Sequence, residues 1–384
     1  ESGLKTDPPT TTRGAYARWR LLARLCCFWL LIALLPTQSF AAVHNLADLP
    51  ASALGENLSY WQEFEAELDF PAALDRYLTG QFSPGETAAL AFGIGSKPVW
   101  VALSIDNARV NDQQRRLVID NSWIDDLGVY VRHRETGTVQ QFRSGDSLPF
   151  SERSISARTF KFDLQLAPGI SDIFIRAQTP DPLVLPVYLH SREEAESRQV
   201  WESYYYGFEY GFLIALLAYN SFLFFGLRDR RYLLYAVYLS FFTLMNISYT
   251  GHGFMAFWPE QVGWQRWGQP LLMVLFSGFG LLFALTFLNI RKDSRLAVQL
   301  TAFSIAAVIS LLAVSMLLQN QSMALLIAFG FMGCYVFAMI LLGILSHYRG
   351  NAIARYFLLA VVVGMLGVAL TAASTWGFVP FNQW

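Results

Sequence analysis

Apolar and polar positions change rhythm near Tyr204. Upstream, from about residue 42, short runs alternate apolar and polar side chains. Downstream, six long apolar stretches follow one another with short loops between. Period-two alternation marks half-buried strands and is plain in Phe160-Lys161-Phe162-Asp163-Leu164-Gln165-Leu166. Runs at 87–94, 98–106, 116–120, 127–134, 139–142, 159–166, 172–177 and 183–190 read the same way, punctuated by Gly93, Gly95, Gly145 and Pro168-Gly169. Eight or nine strands with no helix between them predict an all-β antiparallel sandwich, jelly-roll-like.

The apolar stretches fall near 204–226, 232–256, 268–290, 297–318, 323–345 and 356–377. Each approaches or exceeds the roughly 20 residues a helix needs to cross a bilayer. An all-α transmembrane bundle is therefore expected over 204–384. Ser191 and Glu194 fit a capping box, and no Gly or Pro follows until Gly207. A connector helix over 191–203 should run unbroken from the sandwich (42–190) into the first span. Such a rod transmits motion better than a loose linker; a merely structural helix is the competing reading.

Residues 1–41 read as a leader. Arg13, Arg18, Arg20 and Arg24 precede an apolar run from Leu25 to Leu35, and Ser39-Phe40-Ala41 offers a cleavage site. As a helix that run reaches only about 16 Å, against about 30 Å of hydrocarbon. A signal peptide is expected, which puts the sandwich in the periplasm of a bacterial inner-membrane, multi-pass protein. Loop charges agree: the loops then facing inward hold eight Lys/Arg, and those facing outward hold only Arg266. Six spans return the chain to the outside. The first methionine is Met245 and the sequence stops at Trp384. The chain is thus expected to be part of a longer protein, with a seventh span and any output module beyond Trp384.

A hydrophobic content of 54% and a mean hydropathy of +0.34 suit a membrane protein. Residues 42–200 hold 22 acidic and 14 basic side chains, which argues against nucleic acid as a partner. Cys26, Cys27 and Cys334 all fall outside the sandwich, so no thiol metal site is expected there. The histidines show no metal spacing, and neither a phosphate loop nor a catalytic constellation is present. The chain is expected to carry no catalytic activity, cofactor or metal of its own.

The stretch Phe92-Gly93-Ile94-Gly95-Ser96-Lys97-Pro98-Val99-Trp100, continuing to Asn107, resembles the outer domain of bacterial seven-transmembrane receptors with diverse intracellular signalling modules. Gly145-Asp146 with Pro149-Phe150 and Arg153 is similar to that family's Gly-Asp-x-x-Pro-Phe-x-x-Arg. The likeness continues through Tyr205-Tyr206-Gly207, Gly211, Tyr219-Asn220 and Arg228-Asp229-Arg230-Arg231-Tyr232, and covers essentially all of 56–384. It implies a type-2 outer domain of jelly-roll form that binds carbohydrate or a related small ligand. It also implies a seventh helix and a cytoplasmic output such as a diguanylate cyclase or histidine kinase.

Among individual residues, Trp100 lies in an alternating strand and belongs in the core. Trp123 with Asp125 is the better saccharide candidate, an aromatic face for the sugar C–H surface and a carboxylate for its hydroxyls. A Trp plugging the sandwich end is the competing reading. Asp146 and Arg153 flank the Pro149-Phe150 loop and are candidates for a charge-assisted pair that shapes a pocket or merely ties the loop. In the first span, Gly207 and Gly211 form a small-xxx-small pair that leaves a homodimer open. Glu209 is the only acid within a span, about 8 Å from its start, and reads equally as a coupling residue or an interfacial anchor. Tyr249-Thr250-Gly251-His252-Gly253 is either a turn or a surface facing the sandwich.

Taken together these features predict a membrane receptor that senses a small molecule. A transporter or accessory subunit with a substrate-capturing outer domain is the alternative, disfavoured by the lack of ion pairs within the spans.

Overall fold

The computed structural model describes residues 42–64, 66–290 and 295–375. The leader expected over 1–41 lies outside the described residues. Among the described residues twelve strands precede the bundle: β1 Val43–Asn45, β2 Ser59–Gln62, β3 Ser83–Pro84, β4 Leu90–Ile94, β5 Val99–Asn107, β6 Gln113–Ile119, β7 Asp126–His133, β8 Val139–Ser144, β9 Phe160–Leu166, β10 Gly169–Gln178, β11 Pro182–Leu185 and β12 Val187–His190.

Alternation buries one face of each strand, and the strands stack in two layers to do so. One layer has the order β3-β2-β5-β10-β7-β8, with β1 added to β5 in parallel. The other is built from β12-β6-β9 and the pair β11-β4. All pairings except β1–β5 are antiparallel. Val99, Val101, Leu103 and Ile105 of β5 join Leu117, Ile119, Phe160 and Phe162 of the opposite layer in the core between them.

Trp100 and Ala102, on the other face of β5, are also buried, and this requires a third element. It is a helix, α1 (Phe70–Leu78), capped by Asp69, whose side chain accepts the Ala72 amide at 3.0 Å. Phe70 stacks on Tyr130 with centroids 4.7 Å apart, and Tyr77 packs edge-on to Phe174. The sandwich is therefore not free of helices. A strand that is apolar on both faces must be covered on both, and α1 covers the outer face of β5. The Trp100 indole is fully buried, its N–H donating to Glu63 at 2.7 Å.

The bundle consists of α2 (Arg192–Leu227), α3 (Arg230–Tyr249), α4 (His252–Ala256), α5 (Val262–Phe287), α6 (Arg295–Leu317), α7 (Gln321–Tyr348) and α8 (Ala354–Thr375). Five of these, α2, α3, α5, α6 and α7, are long and apolar enough to cross a membrane, and α8 is apolar over Ala354–Gly367. α5 is the central helix, burying Met273, Val274, Phe276, Ala284 and Leu285 against its neighbours. The stretch 232–256 is not one helix: α3 ends at Tyr249, and Gly251 at φ 83° turns the chain into α4.

Strand β12 passes into α2 within one residue. Ser191 accepts the Glu194 amide at 3.2 Å, and Glu194 accepts the Ser191 amide at 2.9 Å, completing the capping box. From there α2 runs 36 residues, about 54 Å at 1.5 Å per residue. The described residues of sandwich and bundle form one compact unit.

Candidate functional site

One end of the sandwich sits on the outer end of the bundle, and this junction gathers most of the chain's unusual polar chemistry. The β6–β7, β8–β9 and β10–β11 loops supply it from the sandwich. The α3–α4 turn, the start of α5 and the α6–α7 turn supply it from the bundle. Ser122 Oγ donates to the Tyr249 carbonyl at 2.8 Å, and the Phe150 amide donates to the Pro259 carbonyl at 2.8 Å. Gln321 Nε2 donates to Asp181 at 2.9 Å.

Glycines allow close approach at two places, one between sandwich loops and one between sandwich and bundle. Gly145, at φ 156°, would bring a Cβ to 2.0 Å from the Asp125 carbonyl oxygen. A Cβ on Gly251 would lie 2.7 Å from both the Arg158 carbonyl oxygen and the Ser122 Cβ, so only glycine fits between bundle and sandwich.

Trp123 meets the bundle, with its ring stacked on Tyr249 at 4.8 Å and its indole N–H donating to the Pro182 carbonyl at 2.9 Å. That face is covered by protein rather than offered to a sugar. Asp125 accepts Thr179 Oγ1 at 2.9 Å and lies 3.7 Å from Arg266. Asp146 is buried and accepts Gln265 Nε2 at 3.3 Å.

Asp146 and Arg153 form no ion pair. Arg153 instead donates to the carbonyls of Ala157 and Arg158 at 2.9 and 3.0 Å, among the rings of Phe150, Phe160 and Phe254. Its Nε and Nη2 have no hydrogen-bond partner among the described residues, and Phe254 belongs to the bundle. The guanidinium is thus held largely by aromatic faces. Burial pulls its pKa down to about 10.

Three carboxyls crowd this junction. Burial raises the pKa of Asp125. Burial, reinforced by the charge of Asp125, pushes Asp146 up to about 7. Burial, with Asp146 and Asp125 adding to it, holds Asp181 well above the usual carboxylate range. Desolvation disfavours each charge, and each charge disfavours the others.

Beside these loops opens a cleft of about 800 Å³ walled by both parts of the chain. The sandwich contributes Lys97, Asp125, Asp126 and Arg143, and the bundle contributes Arg266 and residues 318–322. Of the four sandwich residues singled out from the sequence, Asp125 alone lines it. Trp123, Asp146 and Arg153 lie behind, joining the two parts of the chain.

A second junction ties the sandwich to α2. Arg158 reaches Asp120 at 3.3 Å and Glu202 at 2.9 Å, and its guanidinium lies over the Tyr206 ring. Burial opposes its charge, but Asp120, Tyr206 and Glu202 outweigh that and raise its pKa. Lys161 Nζ donates to Gln199 at 3.0 Å.

Within the bundle it is Tyr210, not Glu209, that contacts the next helix: its hydroxyl shares hydrogen bonds with Thr250 at 2.6 Å and His252 at 3.2 Å. Glu209 makes no hydrogen bond or ion pair among the described residues. Gly207 and Gly211 are exposed, with open space where a Cβ would stand. The segment from Tyr249 to Gly253 is both a turn and a contact with the sandwich.

An outer sandwich resting on membrane helices, with a polar cleft at their junction, is the layout of a membrane receptor with an extracellular sensor. The model described as 7TM diverse intracellular signalling matches residues 202–384, and that described as 7TMR-DISM extracellular 2 matches residues 55–191. Between them they cover most of the chain, which belongs to the 7TMR-DISM family of receptors with a type-2 extracellular domain. No curated protein sequence matches the chain.

Proposed function

We propose that this chain is the sensing and membrane-spanning part of a bacterial inner-membrane receptor whose periplasmic sandwich, jelly-roll-like, takes a small ligand of saccharide type in the cleft against the bundle. The observation that carries this reading is the cleft of about 800 Å³, whose walls come from both sandwich and helices. A ligand touching both walls favours one arrangement of the two over another, and only such differential binding can move a signal. Arg158 and the unbroken α2 then carry the change into the bilayer. The output is a cytoplasmic module, of diguanylate cyclase or histidine kinase type, rather than chemistry on this chain. A homodimer through the open Gly207 and Gly211 face is compatible with this arrangement.

Hydrogen exchange on the full chain in lipid nanodiscs, with a panel of oligosaccharides, tests the site. The expected result is joint protection of 178–181 and 318–322 by the same compound. Protection confined to the sandwich away from the bundle contradicts it.

A further inference from the structure

We infer that the cleft ligand is anionic, a polyhydroxylated compound carrying a carboxylate or phosphate; this deepens, and rests on, the cleft reading above. Each carboxylate lining the cleft already faces a guanidinium. Asp126 has Arg143 at 3.2 Å, and Asp125 has Arg266 at 3.7 Å. Lys97 has no carboxylate within ion-pair distance among the described residues, so the lining carries one unbalanced positive charge. Asp146 and Asp181 lie just behind, and burial raises the pKa of both, to about 7 for Asp146.

The opposite wall agrees. α7 begins at the cleft, where Asn320 caps the Met323 amide at 2.9 Å and its carbonyl takes the Ala324 amide. The Gln321 and Ser322 amides are left without a partner among the described residues. Those free N–H groups lie at the positive end of a 28-residue helix. An anion placed in the cleft therefore meets Lys97 from the sandwich and Arg266 with the α7 amides from the bundle. It draws the two walls together, which a neutral ligand does less strongly. Hydroxyl recognition has its own groups: Ser96 Oγ is buried without a partner among the described residues, and Ser147, Gln178 and Thr179 line the same space.

The test uses the full chain in nanodiscs carrying Q178C, at an exposed cleft residue, with the unsubstituted chain as background for the native cysteines. Trigalacturonate, glucose 6-phosphate and neutral maltotriose are compared as protectants of the Q178C thiol against maleimide, and as stabilisers in thermal melts. An acidic probe is expected to protect at concentrations at least tenfold below maltotriose, with K97Q abolishing that advantage. Which acidic probe protects distinguishes a carboxylate from a phosphate.

Equal protection by maltotriose, or indifference to K97Q, overturns the anionic assignment while leaving the cleft site standing. A rise in melting temperature with an acidic probe that leaves the Q178C thiol unprotected puts binding elsewhere and overturns both. No protection and no stabilisation by any of the three contradicts the anionic assignment.

Discussion

Trp123 of the sandwich and Tyr249 of the bundle lie face to face, with ring centroids 4.8 Å apart and planes 25° from parallel. The contact joins residues 126 positions apart and fixes a sandwich loop to the end of α3. Aromatic pairs of this geometry contribute about 0.5–1.5 kcal/mol beyond area burial. A double-mutant cycle of W123A and Y249A, read by denaturant stability of the full chain, should return a coupling energy in that range. A cycle with no coupling shows that the rings merely lie near each other.

Asp146 gives the junction a defined response to pH. Its carboxyl is raised in the folded chain to about 7, against about 3.9 when unfolded. Between those values the folded state holds a proton that the unfolded state has lost. Its stabilising contribution is therefore complete below about pH 4 and is lost as pH rises through about 7, with a slope of at most about 1.4 kcal/mol per pH unit. Asp125 and Asp181 shift in the same direction and titrate with it. Melts from pH 4.5 to 8 should show D146N flattening this decline; an unchanged profile contradicts the assignment.

Two glycines make opposed predictions. G251A places a Cβ 2.7 Å from Arg158 and Ser122 at a positive φ, which costs about 1–2 kcal/mol from the backbone alone. G207A meets nothing within 4 Å and improves helix propensity by roughly 0.5–1 kcal/mol. Thermal melts should fall for G251A and hold or rise for G207A. Equal effects mean that Gly251 does not sit between sandwich and bundle.

In the proposed function the signal runs inward through the α2 rod and its Arg158 tether. Insertion of Gly-Gly after Gln199 breaks the rod within the segment that Lys161 and Arg158 clamp to the sandwich. The insertion should leave ligand binding within about twofold while abolishing the output of the full-length receptor. Preserved output sinks the rod as the route inward. R158Q, which removes the ion pair to Glu202, should loosen 199–206 in hydrogen exchange and cost about 1–2 kcal/mol.

Strands and spans are visible in the sequence because each is a local rhythm. The alternation of Phe160, Phe162, Leu164 and Leu166 with Lys161, Asp163 and Gln165 in β9 needs no partner to be seen. The α1 helix is not legible locally, since its signal is only the Asp69 cap, Pro71 and nine residues. Its necessity comes from the second apolar face of β5, a tertiary fact. The break after Tyr249 was hidden because Gly251 and His252 interrupt an otherwise apolar run too briefly to register.

The candidate residues fared differently. Trp123, Asp125, Asp146 and Arg153 do share one end of the sandwich, but the contacts of this end with the bundle lie far along the chain. Ser122 bonds Tyr249, Asp146 bonds Gln265, and Asp181 bonds Gln321. No spacing rule connects those pairs. The contacts of Arg158, Tyr210 and Arg266 likewise have no local signal, because each depends on an element folded against it from elsewhere.

The most direct measurement is the distance between spin labels at V110C, on the sandwich, and E260C, on the bundle, both exposed and outside the cleft, in nanodiscs with and without a ligand that protects the thiol of the separate Q178C variant. The account predicts that ligand shifts the distance distribution, shortening and narrowing it. A distribution identical in both conditions, with the ligand demonstrably bound, contradicts the claim that this junction reads the ligand.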